Sequence, residues 1–543
     1  MCYNCVKSKK ERRMFMLMSL LILIPVLASV FVYKLPFKLA NTLLWLVQIF
    51  LIVSSISLFI NSHMNEYLLQ ILGGNDSVLY ISLRGDRLSF IFVILSGIFF
   101  SAIHLFSYKT SFYENKFMML CMVLQGVING LFLTNDIFNM FVLFEVSTVV
   151  LVLLVYYQKT RTAIYNGLYF MVIQVLSMMF FLFGIAYLYR IFGILSIDGI
   201  AARIPYVEST SLILPASLLF VGLAVKLGFF PLFSWIRVAY TAASNPISVQ
   251  AIQSGLFIKT SVFVLARFAI MFQDVLGYNN ILLAISLITS IVGFSKALSQ
   301  KNPVLILAFH TVSQVGLMCA GFFLSEKSYY GGMYHSINHA FFKTLLFLAT
   351  GHIMHNYKTT NIKKIRGVLT NMPFCGVMVI IGILGITGAP FFNGYISKYM
   401  IMDGQYNIFI TAALWIINMG TILSFTKFGT MLFGHKDLVC EPVSITGKAA
   451  MIILAVFTLA LGVFGTEVMT YLFEQSFSIT MGSHIQKSIT YILMMLAGFL
   501  FYKYVLSRTD ILYRSISGSM NLSNATFAMM IFFVVLMVYG YIS

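Results

Sequence analysis

Lys226, Lys259, Lys343 and Lys398 lie inside apolar stretches long enough to cross a bilayer, and Glu145 lies inside another. A charge at mid-membrane depth costs a few kcal/mol or more, so such residues are rare and face a partner or a water-filled path. Four lysines and one glutamate so placed point to a route for protons or cations. Histidines join them. His310 and Gln314 are spaced i, i+4, and His335, His339 and Lys343 are spaced i, i+4, i+8, which puts the last three on one face of a helix. Histidine titrates near neutral pH and passes a proton between its two nitrogens. His335 and His339 also have the spacing of a metal pair. No carboxylate or cysteine accompanies them and a lysine shares their face, so the pattern favours a proton relay over a metal site.

The surroundings of each charge sharpen this reading. In DIFNMFVLFEVSTVVLVLLVYY, Glu145 sits near the middle, with Asp136 and Asn139 closer to one end. A carboxylate deep in hydrocarbon stays neutral unless a cation is near; a lysine partner would let it ionise. Lys226 is followed by Gly228 and Pro231. Proline removes a backbone donor and clashes with the preceding turn, so the helix breaks or kinks there. Broken backbone at membrane depth is tolerated where it is buried in protein or lines a cavity. Gly388, Pro390 and Gly394 mark a second break, followed by Lys398. Two interrupted, lysine-bearing helices in different halves of a chain fit a transporter built from two related repeats, although the halves show no direct sequence repeat. Around Lys259 stand Gln250, Gln253, Ser254 and Ser261, suited equally to a water chain or to hydrogen bonds between helices.

These residues need a membrane-spanning scaffold, and the composition supplies one. The 543 residues are 60% hydrophobic and 10% charged, against about 25% charged in a soluble domain. Sixteen spans are expected, at 14–33, 40–60, 89–106, 117–133, 137–156, 168–189, 211–230, 249–271, 280–295, 303–324, 331–354, 374–395, 406–433, 449–472, 488–506 and 524–542. The chain divides into N-terminal helices and loop (1–116), an ion-translocating core (117–433) and C-terminal accessory helices (434–543). The longest polar stretch, 61–88, reads as a loop.

The net charge of +18 does not indicate nucleic acid, because the basic residues are spread over short loops. The odd-numbered loops and their flanks hold 19 Lys/Arg and the even-numbered ones seven. The positive-inside rule makes the odd loops cytoplasmic and the N-terminus external. Lys7, Lys9, Lys10, Arg12 and Arg13 oppose this. Either translation starts at Met14 or Met16, or the first helix inserts against its own charges, or the segment opens a signal peptide. Cys2 and Cys5 form one C-x-x-C, too little for a zinc or disulfide framework. Cys121, Cys319 and Cys375 read as apolar residues facing core or lipid. No haem motif, P-loop or dinucleotide fingerprint is present, so no bound cofactor is expected.

Several stretches resemble the antiporter-like membrane subunits shared by complex I, energy-converting hydrogenases and Mrp-type multisubunit cation/proton antiporters. They are TNDIFNMFVLFEV around Glu145, KLGFFPLFSWIRVAY from Lys226, SNPISVQAIQSGLFIKTSVFVLAR around Lys259, LAFHTVSQVG, YHSINHAFFKTLLFLATGHI, KKIRGVLTNMPF, and GAPFFNGYISK ending at Lys398. In order, they cover about residues 80–400. GGNDSVLYISLRGDRLSFIFVIL and DILYR look most like the D subunit of the Mrp type or its hydrogenase relatives. The resemblance implies an all-α polytopic fold of 14–16 helices, with inverted repeats and two broken helices. It also implies a place among other membrane subunits in the cell membrane, and movement of protons, with sodium as the candidate counter-ion. It implies that Glu145 pairs with Lys226, that Lys226 hands charge to Lys259, and that His339 and Lys343 continue the path to Lys398. Rival identities are a pump module of a hydrogenase or complex I machine, an independent solute permease and a structural scaffold. Three positions depart from the family pattern. His310 stands where a small hydroxyl residue is usual, Tyr240 where histidine is frequent, and Phe233 where P-L-H-x-W has its histidine.

Overall fold

The computed structural model describes residues 9–64, 66–72, 80–241, 246–273, 277–403, 407–436, 438–475, 477, 479–506 and 522–543. Cys2 and Cys5, DILYR and the start of the GGNDSVLY stretch lie outside them.

Long apolar runs leave the backbone only one way to satisfy its polar groups inside hydrocarbon, and the chain is accordingly helical. The first half comprises α1 (Lys9–Lys34), α2 (Phe37–Ile60), α3 (Arg87–Ser107), α4 (Asn115–Leu133), α5 (Ile137–Val155), α6 (Arg161–Phe192), the short α7 (Ile197–Arg203) and α8 (Ser209–Leu227). Then come α9 (Ser234–Thr241), α10 (Ile247–Ile252), α11 (Ile258–Phe272), α12 (Tyr278–Ser299), α13 (Pro303–Phe322) and α14 (Glu326–Tyr357). The second half closes with α15 (Val368–Asn371), α16 (Pro373–Thr387), α17 (Asn393–Met402), α18 (Ile408–Gly429), α19 (Ile445–Val463), α20 (Gly465–Phe473), α21 (Met481–Tyr504) and α22 (Leu522–Ile542).

Among the described residues, 14 helices are long and apolar enough to cross a membrane, counting α10 and α11 as one. The two other expected crossings are the interesting ones. α14 has 32 residues, but its histidines, asparagines and lysines dilute its apolar character. The other is the broken pair α16 and α17, whose longer piece has 15 residues.

Both breaks follow from glycine. α8 ends at Gly228 with φ +68° and α16 at Gly388 with φ +81°, left-handed conformations that stop a helix. At Gly388 the missing side chain has a second use: a Cβ there would stand 3.1 Å from Cδ of Lys398, so the lysine stem lies across the break. The two interruptions fall in the seventh and twelfth crossings, which run in opposite directions, the arrangement of inverted-topology repeats.

The 61–88 stretch departs from the loop reading. Tyr67–Leu72 (β1) and Ile81–Asp86 (β2) pair antiparallel, from Tyr67 opposite Asp86 to Leu72 opposite Ile81. β2 is mostly buried against the helices: Leu83 bridges to Thr134, and Asn135 Nδ2 donates to Ser82 Oγ at 3.3 Å. Asp86 caps α3 by accepting from Ser89 N at 2.9 Å. Its carboxylate bonds Arg267 and lies 3.3 Å from Arg84 Nε. Burial alone would push the Asp86 carboxyl up, but the two guanidinium charges outweigh it and hold the group below its ordinary value.

Candidate functional site

The sequence-selected lysines and histidines gather in the interior. Lys226, Lys259, His310, His335, His339, Lys343 and Lys398 are all buried, most with no measurable exposure. They come from α8, α11, α13, α14 and α17, so no single helix forms the path.

Lys226 lies in the last turn of α8, just before its break. Its ammonium donates to Thr148 Oγ1 at 3.0 Å and Gln174 Oε1 at 3.4 Å, and faces the ring of Phe144 at 5.1 Å. Glu145 is only half-buried on α5. No ion pair within 4.0 Å joins it to Lys226 in this conformation, and its Oε1 is buried without a hydrogen-bond partner. Thr148, one turn after Glu145, and Gln174, on α6, are the neighbours of Lys226 that sequence reasoning missed. A hydroxyl at i+3 from the glutamate was the available signal.

Lys259 is reached through a π-helical turn, Gln253–Phe257, between α10 and α11. Such turns open the backbone and are frequent at functional sites. Here the lysine ammonium donates to Ser254 O at 2.6 Å and lies 2.5 Å from His339 Nδ1. That places an amine and an imidazole in direct hydrogen-bond contact. Ser254 Oγ in turn meets Thr311 Oγ1 at 2.6 Å.

Along α14, His335 and His339 have ring centroids 6.5 Å apart, and Lys343 follows one turn on. With a rise of about 1.5 Å per residue, the three span roughly 12 Å along the helix axis. His335 is held at both nitrogens: Nε2 lies 3.0 Å from Gln314 Oε1 and Nδ1 lies 2.8 Å from Ser397 Oγ. Gln314 thus serves His335, not His310 on its own helix. The His310 ring lies 4.6 Å from that of Phe425, tilted by 38°. Both its ring nitrogens, His339 Nε2, Lys343 Nζ and both amide atoms of Gln253 are buried without a protein partner. Buried polar atoms left so are costly unless water satisfies them, and these cluster between the lysines.

Ser397 precedes Lys398, whose ammonium donates to Thr387 O at 3.4 Å, the last carbonyl of α16. Lys398 faces a cavity of about 200 Å³ whose walls include Met402, Gln486 and Lys487, near even-numbered loops. A second cavity of about 650 Å³ lies at the other ends of the helices, with Lys109, Gln158, Gln250, Asn302, His352 and Glu441 in its walls. The buried basic groups thus lie between Gln250, in the wall of one hollow, and Lys398, in the wall of the other.

The remaining candidates stand apart from this run. Asp136 caps α5 through Asn139 N at 2.6 Å and borders an outer cavity, nine residues from Glu145. Gly228 and Gly388 make the breaks, while Pro231 and Pro390 lie in the linkers after them. Phe233 packs on Phe309 and Tyr240 on Phe347, so aromatic contacts replace the expected histidines near the seventh crossing. Cys121, Cys319 and Cys375 are buried core residues. Among the described residues, no group of three or more His, Cys, Asp or Glu is placed to hold a metal ion.

A family model described as NADH:quinone oxidoreductase/Mrp antiporter, transmembrane, matches residues 134–426, more than half of the chain. The chain is 28% identical over 387 residues to the D subunit of the Na(+)/H(+) antiporter of Alkalihalophilus pseudofirmus, covering 69% of this chain and 78% of that one. A chain in the structure of the membrane-bound sulfane sulfur reductase, an archaeal respiratory membrane complex, superposes with TM-score 0.78 at 25% identity, covering 88% of this chain and 99% of the other. A chain of the Mrp complex from Dietzia sp. DQ12-45-1b superposes with TM-score 0.77 at 20% identity, covering 87% and 98%.

Proposed function

Because the chain belongs to the NADH:quinone oxidoreductase/Mrp antiporter transmembrane family, we propose that it is the proton-translocating membrane subunit of a multisubunit Mrp-type sodium/proton antiporter. The observation that supports this most is the set of buried lysines and histidines lying between two hollows at opposite loop faces. Protons taken up from the wide hollow pass by Gln250 and Gln253 to the Lys259–His339 pair. From there they move along Lys343, His310 and His335, through Ser397, to Lys398, which exchanges with the second hollow. Lys226 and Glu145 form a side branch: when Lys226 turns from Thr148 and Gln174 toward Glu145, it alters the field at Lys259. No step requires a redox group, so the subunit acts as a transporter and not as an enzyme on its own. It works among other membrane subunits in the cell membrane, with odd-numbered loops cytoplasmic.

A second reading has one observation in its favour, the likeness to a chain of an archaeal respiratory membrane complex. There the same path would be driven by redox partners. Co-purified subunits separate the two: iron–sulfur partners indicate the respiratory module, small membrane subunits alone the antiporter. The path itself is tested by Lys398→Arg. Arginine, with a pKa above ~12, keeps its charge and cannot release a proton at workable pH. The assembled Lys398→Arg complex is expected to lose sodium-driven proton exchange, and a fully active variant would remove Lys398 from proton release.

A further inference from the structure

α21 is an unusual helix. It lies outside the family-matched residues and packs along one face only, with Gly498 its one buried residue. Ile485, Ile489, Ile492 and Leu496 point outward. Its inward stripe is Lys487, Thr490, Tyr491 and Met494, at helical spacing, and all four line the Lys398 cavity. An apolar helix that spends polar residues on one face of a small cavity has a use for them there.

Two contacts anchor the stripe. Lys487 Nζ stands 3.2 Å from the ring centroid of Tyr399, the residue after Lys398. Tyr491 OH lies 2.8 Å from Thr387 Oγ1. Thr387 Oγ1 gives its only proton to Ile383 O at 2.7 Å, so Tyr491 is the donor. Thr387 ends α16, and the left-handed turn at Gly388 leaves its carbonyl without a continuing helix. That carbonyl is the acceptor for Lys398 Nζ. Tyr491 thus fixes the side chain of the residue whose backbone oxygen holds the lysine.

We propose that Tyr491 is a positioning residue for Lys398, acting through Thr387, so that α21 is a working wall of the exchange cavity and not a passive accessory. This rests on the reading of Lys398 as the terminal exchange group. Without the Tyr491 hydroxyl, Thr387 keeps its own bond to Ile383 O but loses the contact that ties this end of α16 to α21, and the carbonyl that accepts from the ammonium is set less tightly.

The test uses the complete complex in membrane vesicles, with sodium-driven ΔpH exchange normalised to co-purified subunits. Tyr491→Phe removes one oxygen and keeps the ring. It is expected to slow exchange about fivefold, the net worth of one hydrogen bond, and to move the pH–rate profile. Thr387→Val should reproduce the loss, and the double variant should be no slower than either single one, because both act through one contact. Wild-type rate and profile in Tyr491→Phe, or losses that multiply in the double variant, would overturn the proposal. Lys398→Ala, measured alongside, separates the failures. Exchange surviving in Lys398→Ala overturns both readings, whereas exchange lost there with unaltered Tyr491→Phe overturns the positioning role alone.

Discussion

Replacing His339 by glutamine removes the proton-accepting ring and little else. Glutamine fills similar space and keeps an oxygen within reach of Lys259, but it does not take up a proton near neutral pH. The structural cost is small. His339 loses its edge contact with Phe342, at 5.3 Å between centroids, worth about 1 kcal/mol, against a total stability of about 5–15 kcal/mol for a folded domain. The complex should therefore assemble. The transport cost is larger. His339 takes the proton from Lys259, whose ammonium lies 2.5 Å from its Nδ1, and passes it toward Lys343, one turn on along α14. Without it the proton must go from Lys259 to Lys343 over water alone. A positioned acid–base group contributes about 10²-fold or more, so a fall of at least about tenfold is expected, or about 1.4 kcal/mol in barrier. The assay is pH-gradient dequenching in vesicles, normalised to assembled complex. Equal rates for wild type and His339→Gln would refute the relay and leave the histidine a structural role.

Two further outcomes are expected. In Gly394→Ala, a Cβ would run into Gly385 O, a clash against backbone across the second break; exchange should be lost together with much of the assembled complex, as read by co-purification. The Asp86 carboxyl is held below its ordinary value in the fold, so its contribution is present above the unfolded value of ~3.9 and is lost as pH falls through the lower folded one. Thermal stability of the detergent-solubilised complex should therefore drop below about pH 4. Asp86→Asn should start about 3 kcal/mol less stable, with Arg267 stranded, and show a weaker acid-side drop; an unchanged acid limb would contradict this.

Much of the architecture was legible because its cause is local. Apolar run length specifies the crossings, and Gly228 and Gly388 announce the breaks within a few residues of the lysines they serve. The i, i+4, i+8 spacing placed His335, His339 and Lys343 correctly on one buried face. What escaped depends on distant chain segments. Nothing near Lys259 says that His339, 80 residues away, completes it, or that Ser397 and Gln314 clamp His335. The π turn before Lys259 leaves no periodicity signal in five residues. The 61–88 stretch hid a hairpin because its strands are short and partly polar. Glu145 looked as buried as the lysines in sequence, yet its helix face is half open and its ammonium partner is turned to Thr148 and Gln174.

The central claim is that one continuous path of buried bases carries the protons, and Lys259 is its least replaceable member. Lys259→Met keeps the stem and removes the ammonium that joins Ser254 O to His339. The decisive measurement is the collapse of an imposed pH gradient on adding sodium to vesicles with equal amounts of assembled wild-type or Lys259→Met complex. The account predicts rapid collapse for the wild type and none above background for the variant. Collapse at the wild-type rate in Lys259→Met would contradict it.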